Sequence, residues 1–137
     1  MNFIIKIYDQ LHIFLAKTKG LLRDFFGFLF TKIYVIAILL VNMLTWYFAY
    51  HMYGRSSQDI VILHYNVDFG INLIGNKSNF FIIPLSGLCF IILNIVVLLL
   101  LIKKKDFKFW AYFLLSFLSL LSIFLVLALL AMYIINF

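Results

Sequence analysis

Three long stretches of this chain contain no formally charged residue, and this pattern restricts the fold more than any other feature. Lys32 and Arg55 bracket the first stretch, Lys77 and Lys103 bracket the second, and the third follows Lys108. A helix rises about 1.5 Å per residue, so about 20 apolar residues cross the hydrocarbon core of a bilayer. We therefore predict transmembrane helices over about 33–53, 84–102 and 109–135.

The composition excludes a soluble globular protein. Hydrophobic residues make up 66% of the 137 residues and charged residues only 12%, whereas soluble domains have about 45–50% and 25%. The remaining segments, of at most about 32 residues, are too short to fold as independent soluble domains. We predict an all-α membrane protein that consists of an N-terminal amphipathic helix over 1–32 and a three-helix transmembrane domain over 33–137.

Positive charges are distributed unevenly along the chain. Of the eleven cations, five precede residue 33 and four lie in 103–108, whereas the segment 54–79 has two. Cationic segments resist translocation, so we expect a multi-pass protein of the plasma or inner membrane. Its N-terminus and inner loop 103–108 would be cytoplasmic, with the outer loop 54–79 and the C-terminus outside. This topology accounts for the net charge of +6, and we expect no nucleic-acid partner.

The first 32 residues have a helical period, with an apolar face and a charged face. We expect an amphipathic helix on the inner leaflet, interrupted near Gly20, with the lipid bilayer as its partner. The alternative is that its apolar face packs against the protein's own helices or against a partner. The cations expected at the membrane surface are Lys6, Lys17, Lys19, Arg23, Lys103, Lys104 and Lys105.

The outer loop contains a segment rich in β-branched and aromatic residues at 60–67, which predicts a strand. Alternation would place Ile60, Ile62, His64 and Asn66 on one face, and Val61, Leu63, Tyr65 and Val67 on the other. A second strand at 71–74 would complete a hairpin, with turns or close backbone approaches at Gly70 and Gly75. Since an isolated hairpin is marginal in water, we expect it to rest on the membrane surface or on the helix ends.

One motif of this loop comprises His64, Tyr65, Asn66, Asp68, Gly70, Gly75 and Lys77, and Pro84 then opens the next apolar helix. Over about 61–95 this pattern resembles a small bacterial membrane module of unknown function, found in immunity and signalling proteins of the sporulation-delaying toxin type. Asn72 stands roughly where that module has an Asp. The resemblance implies a multi-pass bacterial membrane protein with this loop outside.

His64, Asn66 and Asp68 leave three interpretations open. They could bind a metal or sense pH, with His51 as the additional ligand. They could contact a ligand or peptide, or they could form structural hydrogen bonds within the hairpin. Metal sites normally need three or four ligands, so we expect no metal site.

The predicted spans also contain polar residues, namely Asn42, Thr45, Asn94, Ser116, Ser119 and Ser122. Such side chains commonly form hydrogen bonds between helices. The alternative is a polar permeation path, but the ionisable residues that mark ion and proton routes are absent from the interior of the spans. We therefore interpret these residues as packing contacts.

The sequence has no nucleophile beside a base, no paired carboxylates and no phosphate-binding glycine loop, and its single Cys89 rules out a disulfide framework. We expect neither an enzyme nor a bound cofactor. The leading hypothesis is a binding or accessory module whose outer loop meets a membrane or extracytoplasmic protein, with self-association into a homo-oligomer as a further option. The alternative is a subunit of an oligomeric transporter or channel.

Overall fold

A computed structural model describes the backbone of residues 2–137 and the side chains of 5–13, 15–16 and 18–137. This part of the chain forms four α-helices and one β-hairpin. The helices are α1 (Asn2–Phe25), α2 (Leu29–Arg55), α3 (Ile82–Leu101) and α4 (Phe107–Asn136), the strands are β1 (Ile60–Asn66) and β2 (Gly70–Asn76), and a 3₁₀ turn spans Lys77–Phe81. Three of the helices are long and apolar enough to cross a membrane. The predicted fold class is confirmed.

The predicted interruption near Gly20 is absent, and the connection between α1 and α2 lies earlier than the predicted boundary between residues 32 and 33. Helix α1 passes through Gly20 without interruption, and the break comes at residues 26–28. Gly20 has open space around it and costs the helix only about 1 kcal/mol. At Gly27, a Cβ atom would lie 3.0 Å from the Asp24 carbonyl oxygen, so this close backbone approach favours glycine. Helix α2 then begins at Leu29, before the predicted start at 33, and includes Lys32 in its first turns.

The three long helices pack around two buried apolar clusters. One cluster lies towards the α1–α2 connection and includes Phe25, Ile38 and Leu115. The other lies towards the hairpin and includes Met52 and Phe80. Only about a quarter of each span is buried within the molecule (22–28%), so most of its apolar surface faces outward, as expected for helices surrounded by lipid.

Helix α3 begins with a proline in its first turn. Pro84 is the third residue of this helix and is buried, a position where the missing backbone N–H leaves no bond unmade. Helices α3 and α4 are joined by residues 102–106, which carry three consecutive lysines.

The hairpin has two register shifts, which overturn the simple alternation expected from the sequence. Ile62 pairs with Ile74 and His64 with Leu73, so Leu63 has no counterpart on β2. His64 pairs with Leu73 and Tyr65 with Ile71, so Asn72 of β2 has no counterpart on β1. An extra residue in a strand changes which face the following side chains occupy. The four residues predicted to share a face are therefore separated: Val61 and Leu63 pack on the helices, whereas Tyr65 and Val67 are exposed.

Candidate functional site

The base of the hairpin is fixed to the end of α4 by Asn136. Its Oδ1 accepts a hydrogen bond from the Ile62 backbone N–H at 2.9 Å, and its Nδ2 donates to the Ile62 carbonyl at 2.7 Å. The same Nδ2 donates to the Met132 carbonyl at 2.8 Å. One amide thus satisfies both backbone groups of Ile62 on the outer edge of β1, in the way a neighbouring strand would. Asn136 was not among the predicted site residues, because a single amide at the end of an apolar run matches no motif.

A second anchor joins the two ends of the hairpin through Lys77. Its ammonium group lies 2.9 Å from Asp59 Oδ1, and its backbone N–H donates to the Asp59 carbonyl at 2.9 Å. The ammonium also lies 5.3 Å from the centre of the Tyr53 ring at the end of α2. Since the Asp59 side chain is 81% exposed, the ion pair itself contributes little to stability. Lys77 therefore closes the hairpin and positions it against α2.

Helices α2 and α4 are joined at the same end of the molecule. The Arg55 guanidinium donates to the Tyr133 hydroxyl at 3.0 Å and lies 5.6 Å from the centre of the Phe137 ring. Both helices that carry the hairpin are therefore held together beneath it. Arg55 also lies outside the set of residues predicted from the sequence.

Gly75 of β2 lies in close contact with the side chains around it. A Cβ atom there would overlap the Leu63 and Asn79 side chains. Leu63 is the bulged residue of β1 and packs on the apolar cluster near the hairpin. The predicted close approach at Gly75 therefore corresponds to a contact between the hairpin and the 3₁₀ turn.

The polar residues of the loop motif form hydrogen bonds within the hairpin. The His64 Nδ1 lies 2.6 Å from Asn72 Oδ1, and since that oxygen can only accept, the ring N–H donates. Asn66 Oδ1 accepts from the Asp68 backbone N–H at 2.8 Å, which shapes the turn. Gly70 has φ +75°, a left-handed conformation that favours glycine at the end of a three-residue hairpin loop.

The free end of the hairpin exposes apolar side chains. Val67 is 87% and Phe69 82% exposed. We call this surface the tip patch; it consists of Tyr65, Val67, Phe69, Ile71 and Leu73. None of its members belongs to either apolar cluster. The hairpin thus has an anchored base and an uncovered apolar end.

The candidate metal ligands of the sequence do not lie close together. Within the described residues, no group of three or more His, Cys, Asp or Glu side chains could hold a metal ion. His51 instead lines an apolar cavity of about 220 Å³ between α2 and α4, together with Thr45, Phe48 and Leu130. It lies on α2, whereas His64 and Asp68 belong to the hairpin.

Asn42 and Asn94, the two asparagines predicted within the spans, form hydrogen bonds between helices. Asn42 Nδ2 on α2 donates to the Pro84 carbonyl of α3 at 3.1 Å. It packs so closely on Gly87 that a Cβ there would lie 2.5 Å from the amide nitrogen. Asn94 Nδ2 on α3 donates to the Leu114 carbonyl of α4 at 3.1 Å, and its buried Oδ1 has no hydrogen-bond partner.

Three of the predicted hydroxyl groups form hydrogen bonds within their own helices, whereas the buried Thr31 hydroxyl of α2 has no hydrogen-bond partner. Thr45 donates to the Asn42 carbonyl, Ser119 to the Leu115 carbonyl and Ser122 to the Leu118 carbonyl, all at 2.7–2.9 Å. Ser116 is exposed on the outside of α4. Thr45 lines the cavity between α2 and α4, whereas Asn94 lines a groove between α3 and α4. These polar residues are therefore not assembled around one shared path in the described structure.

The predicted surface cations are exposed at the end of the molecule opposite the hairpin and along α1. This holds for Lys6, Lys19, Arg23, Lys103, Lys104 and Lys105, while the Lys17 side chain lies outside the described residues.

Comparison with known proteins gives no match: no family model fits the chain, and neither a curated protein nor a solved structure is significantly similar to it. The function proposed below therefore depends on the geometry of the hairpin and on the loop motif.

Proposed function

We propose that this small multi-pass membrane protein is a binding or accessory module that contacts a membrane or extracytoplasmic protein through its tip patch. The observation that carries this proposal is the exposure of Val67 and Phe69 at the free end of a hairpin whose base is fixed. Apolar patches exposed to water are unfavourable unless a partner covers them.

The anchored base supports this role. A two-stranded hairpin is marginal in isolation, but here Asn136 and Lys77 attach it to the ends of two helices. The tip is consequently presented in a defined position, which reduces the entropy that binding would otherwise remove. His64 and Asn66 contribute by maintaining the hairpin, since both already have partners within it.

The charge distribution supports placing the hairpin outside the cell membrane. The segments 1–32 and 103–108 carry nine cations, and the hairpin segment 54–79 carries two. By the positive-inside rule, the lysine-rich end is cytoplasmic and the tip patch faces outward. The similarity of the loop motif to immunity and signalling modules agrees with this orientation and with a protein partner.

Affinity capture in mild detergent, followed by quantitative mass spectrometry, tests the proposal. The variant Val67→Ser with Phe69→Ser removes the most exposed apolar side chains of the tip patch. The matched control, Ile60→Ser with Ile74→Ser, makes the same chemical change nearer the base, where both side chains are also exposed. We expect the tip variant to lose a protein that the wild type and the control retain, at unchanged abundance and thermal stability. Recovery of the same proteins with all three chains would contradict the proposal.

A further inference from the structure

We propose that a groove at the lysine-rich end of the molecule binds the headgroup of an anionic phospholipid. The groove lies between the α1–α2 connection and the α3–α4 connection and has a volume of about 510 Å³. Its lining residues are Arg23, Asp24, Gly27, Phe28, Ile102 and Lys103. This site is separate from the hairpin and does not depend on the function proposed for the tip patch.

The cations of this groove are available to an anion. The Arg23 side chain is 86% exposed, and its Nε atom is 3.9 Å from Asp24 Oδ1, the limit of an ion pair. Lys103 approaches from the other connection, and Lys104 and Lys105 follow it in sequence. Arg and Lys form strong charge-assisted hydrogen bonds to phosphate oxygens. Two cations from separate elements can therefore hold one phosphate between them.

The charge of the two ends of the molecule differs strongly. Residues 19–32 and 103–108 together contain seven cations and two carboxylates, whereas residues 54–79 contain two of each. A cation close to the bound headgroup raises the affinity for anionic lipid by about fivefold, and this effect decreases with distance. Two of these seven cations, Arg23 and Lys103, line the groove.

The position and the apolar lining of the groove indicate a lipid instead of a free anion. It lies where α2 begins at Leu29 and α3 ends at Leu101, which is the headgroup level for helices that span the hydrocarbon core. Phe28 and Ile102 line the groove and pack on the apolar cluster near the α1–α2 connection. A phosphate bound beside these side chains can direct its acyl chains along the apolar surface of the bundle.

Helix α1 extends the proposed lipid-binding surface beyond the groove. Phe25 is fully buried in the apolar cluster near the α1–α2 connection, so it fixes the end of α1 and holds Arg23 at the groove. Farther along α1, Ile7, Leu11 and Leu15 remain more than half exposed. Apolar side chains on a helix with cations on its other face suit the interface of a bilayer. The groove and α1 therefore bind the same anionic leaflet.

Tryptophan quenching by brominated lipids tests this site in the full-length protein. The background variant Trp46→Phe leaves Trp110, which lines a neighbouring groove with Lys104 at the same end. The protein is reconstituted into phosphatidylcholine bilayers that contain the same small fraction of either brominated phosphatidylglycerol or brominated phosphatidylcholine. We expect stronger quenching by the anionic lipid. The variant Arg23→Gln with Lys103→Gln should lower this preference by about fivefold for each cation removed.

The matched control is Lys19→Gln with Lys108→Gln, which removes two exposed cations from the same end but outside the groove. It should retain most of the preference. Equal quenching by the two lipids would overturn the proposal. An equal loss of the preference in both double variants would also overturn the proposal, because the preference would then come from the overall surface charge and not from the groove. Abolition of the preference by soluble glycerol phosphate at constant ionic strength would show a free-anion site instead.

Discussion

The side-chain amide of Asn136 forms hydrogen bonds with both backbone groups of Ile62, at 2.9 Å to the N–H and 2.7 Å to the carbonyl. Asn136 is the last residue of α4, and Ile62 lies on the outer edge of β1, 74 positions earlier. This pair fixes the hairpin to the helix bundle and covers part of a strand edge that would otherwise be open to other chains.

Replacing Asn136 by Leu should therefore detach the base of the hairpin. Leaving partly buried backbone groups unpaired costs about 1–3 kcal/mol, so we expect a lower thermal midpoint in detergent and faster proteolysis within 60–76. Asn136→Asp keeps an acceptor for the Ile62 N–H but turns a carboxylate oxygen towards the Ile62 and Met132 carbonyls at the C-terminus of α4, so it should also be destabilising. Wild-type proteolysis rates in Asn136→Leu would contradict the anchoring role.

Gly87→Ala should weaken the contact between α2 and α3. The new methyl group would lie 2.5 Å from Asn42 Nδ2 and 3.2 Å from Leu125 Cδ1, so the amide must leave the Pro84 carbonyl. We expect a loss of about 1–3 kcal/mol, as for other overpacked interiors, measured by unfolding in a denaturing detergent. The control Gly20→Ala lies in a helix with open space around it and should be neutral or stabilising by up to about 1 kcal/mol. Equal effects of the two changes would show that the contact is not tight.

Asn94→Leu should leave stability unchanged or increase it slightly. The substitution removes a hydrogen bond to Leu114, worth about 0.6 kcal/mol on average within membranes, and it also removes a buried oxygen that has no partner. Such an oxygen costs about 1–3 kcal/mol. Asn42→Leu serves as the comparison, because the Asn42 side chain has no buried unpaired atom and its loss should be destabilising. Unfolding of both variants in the same detergent distinguishes the two sites, and a clear destabilisation by Asn94→Leu would contradict this account.

His64 and Asn72 should be energetically coupled. Their side chains meet across the two register shifts at 2.6 Å, and a hydrogen bond of this kind contributes about 0.5–1.5 kcal/mol. A double-mutant cycle with His64→Ala and Asn72→Ala, using hairpin proteolysis as the readout, should give a coupling energy in that range. Additive effects would indicate that the two side chains do not interact.

Labelling of single cysteines should locate the two ends of the bundle on opposite sides of the membrane. In a Cys89→Ala background, an impermeant thiol reagent added to intact cells should label Gln58→Cys at the hairpin end. Lys105→Cys at the lysine-rich end should react only after permeabilisation, because cationic segments remain cytoplasmic. The reverse pattern would place the tip patch in the cytoplasm and would exclude an extracytoplasmic partner.

The sequence alone was sufficient to place most of the secondary structure. The three predicted spans begin and end within about five residues of α2, α3 and α4, because the apolar composition that favours a spanning helix is a property of each 20-residue segment by itself. The hairpin was predicted for a similar reason: the preference of 60–67 for strand conformation and the left-handed requirement at Gly70 are both local. An interruption of the N-terminal helix was predicted near Gly20, but α1 is continuous there and ends at Phe25, before the close backbone approach at Gly27. The presence of a glycine alone does not end a helix.

Only the tertiary structure showed how these elements form a site. The bond from Asn136 to Ile62, the contact of Arg55 with Tyr133 and the packing of Asn42 on Gly87 join residues that are 74, 78 and 45 positions apart. The register shifts at Leu63 and Asn72 separated side chains that alternation had placed on one face. Composition and period act along the chain, so they can be read one segment at a time. Hydrogen bonds between distant residues depend on the relative position of whole helices, which no single segment specifies.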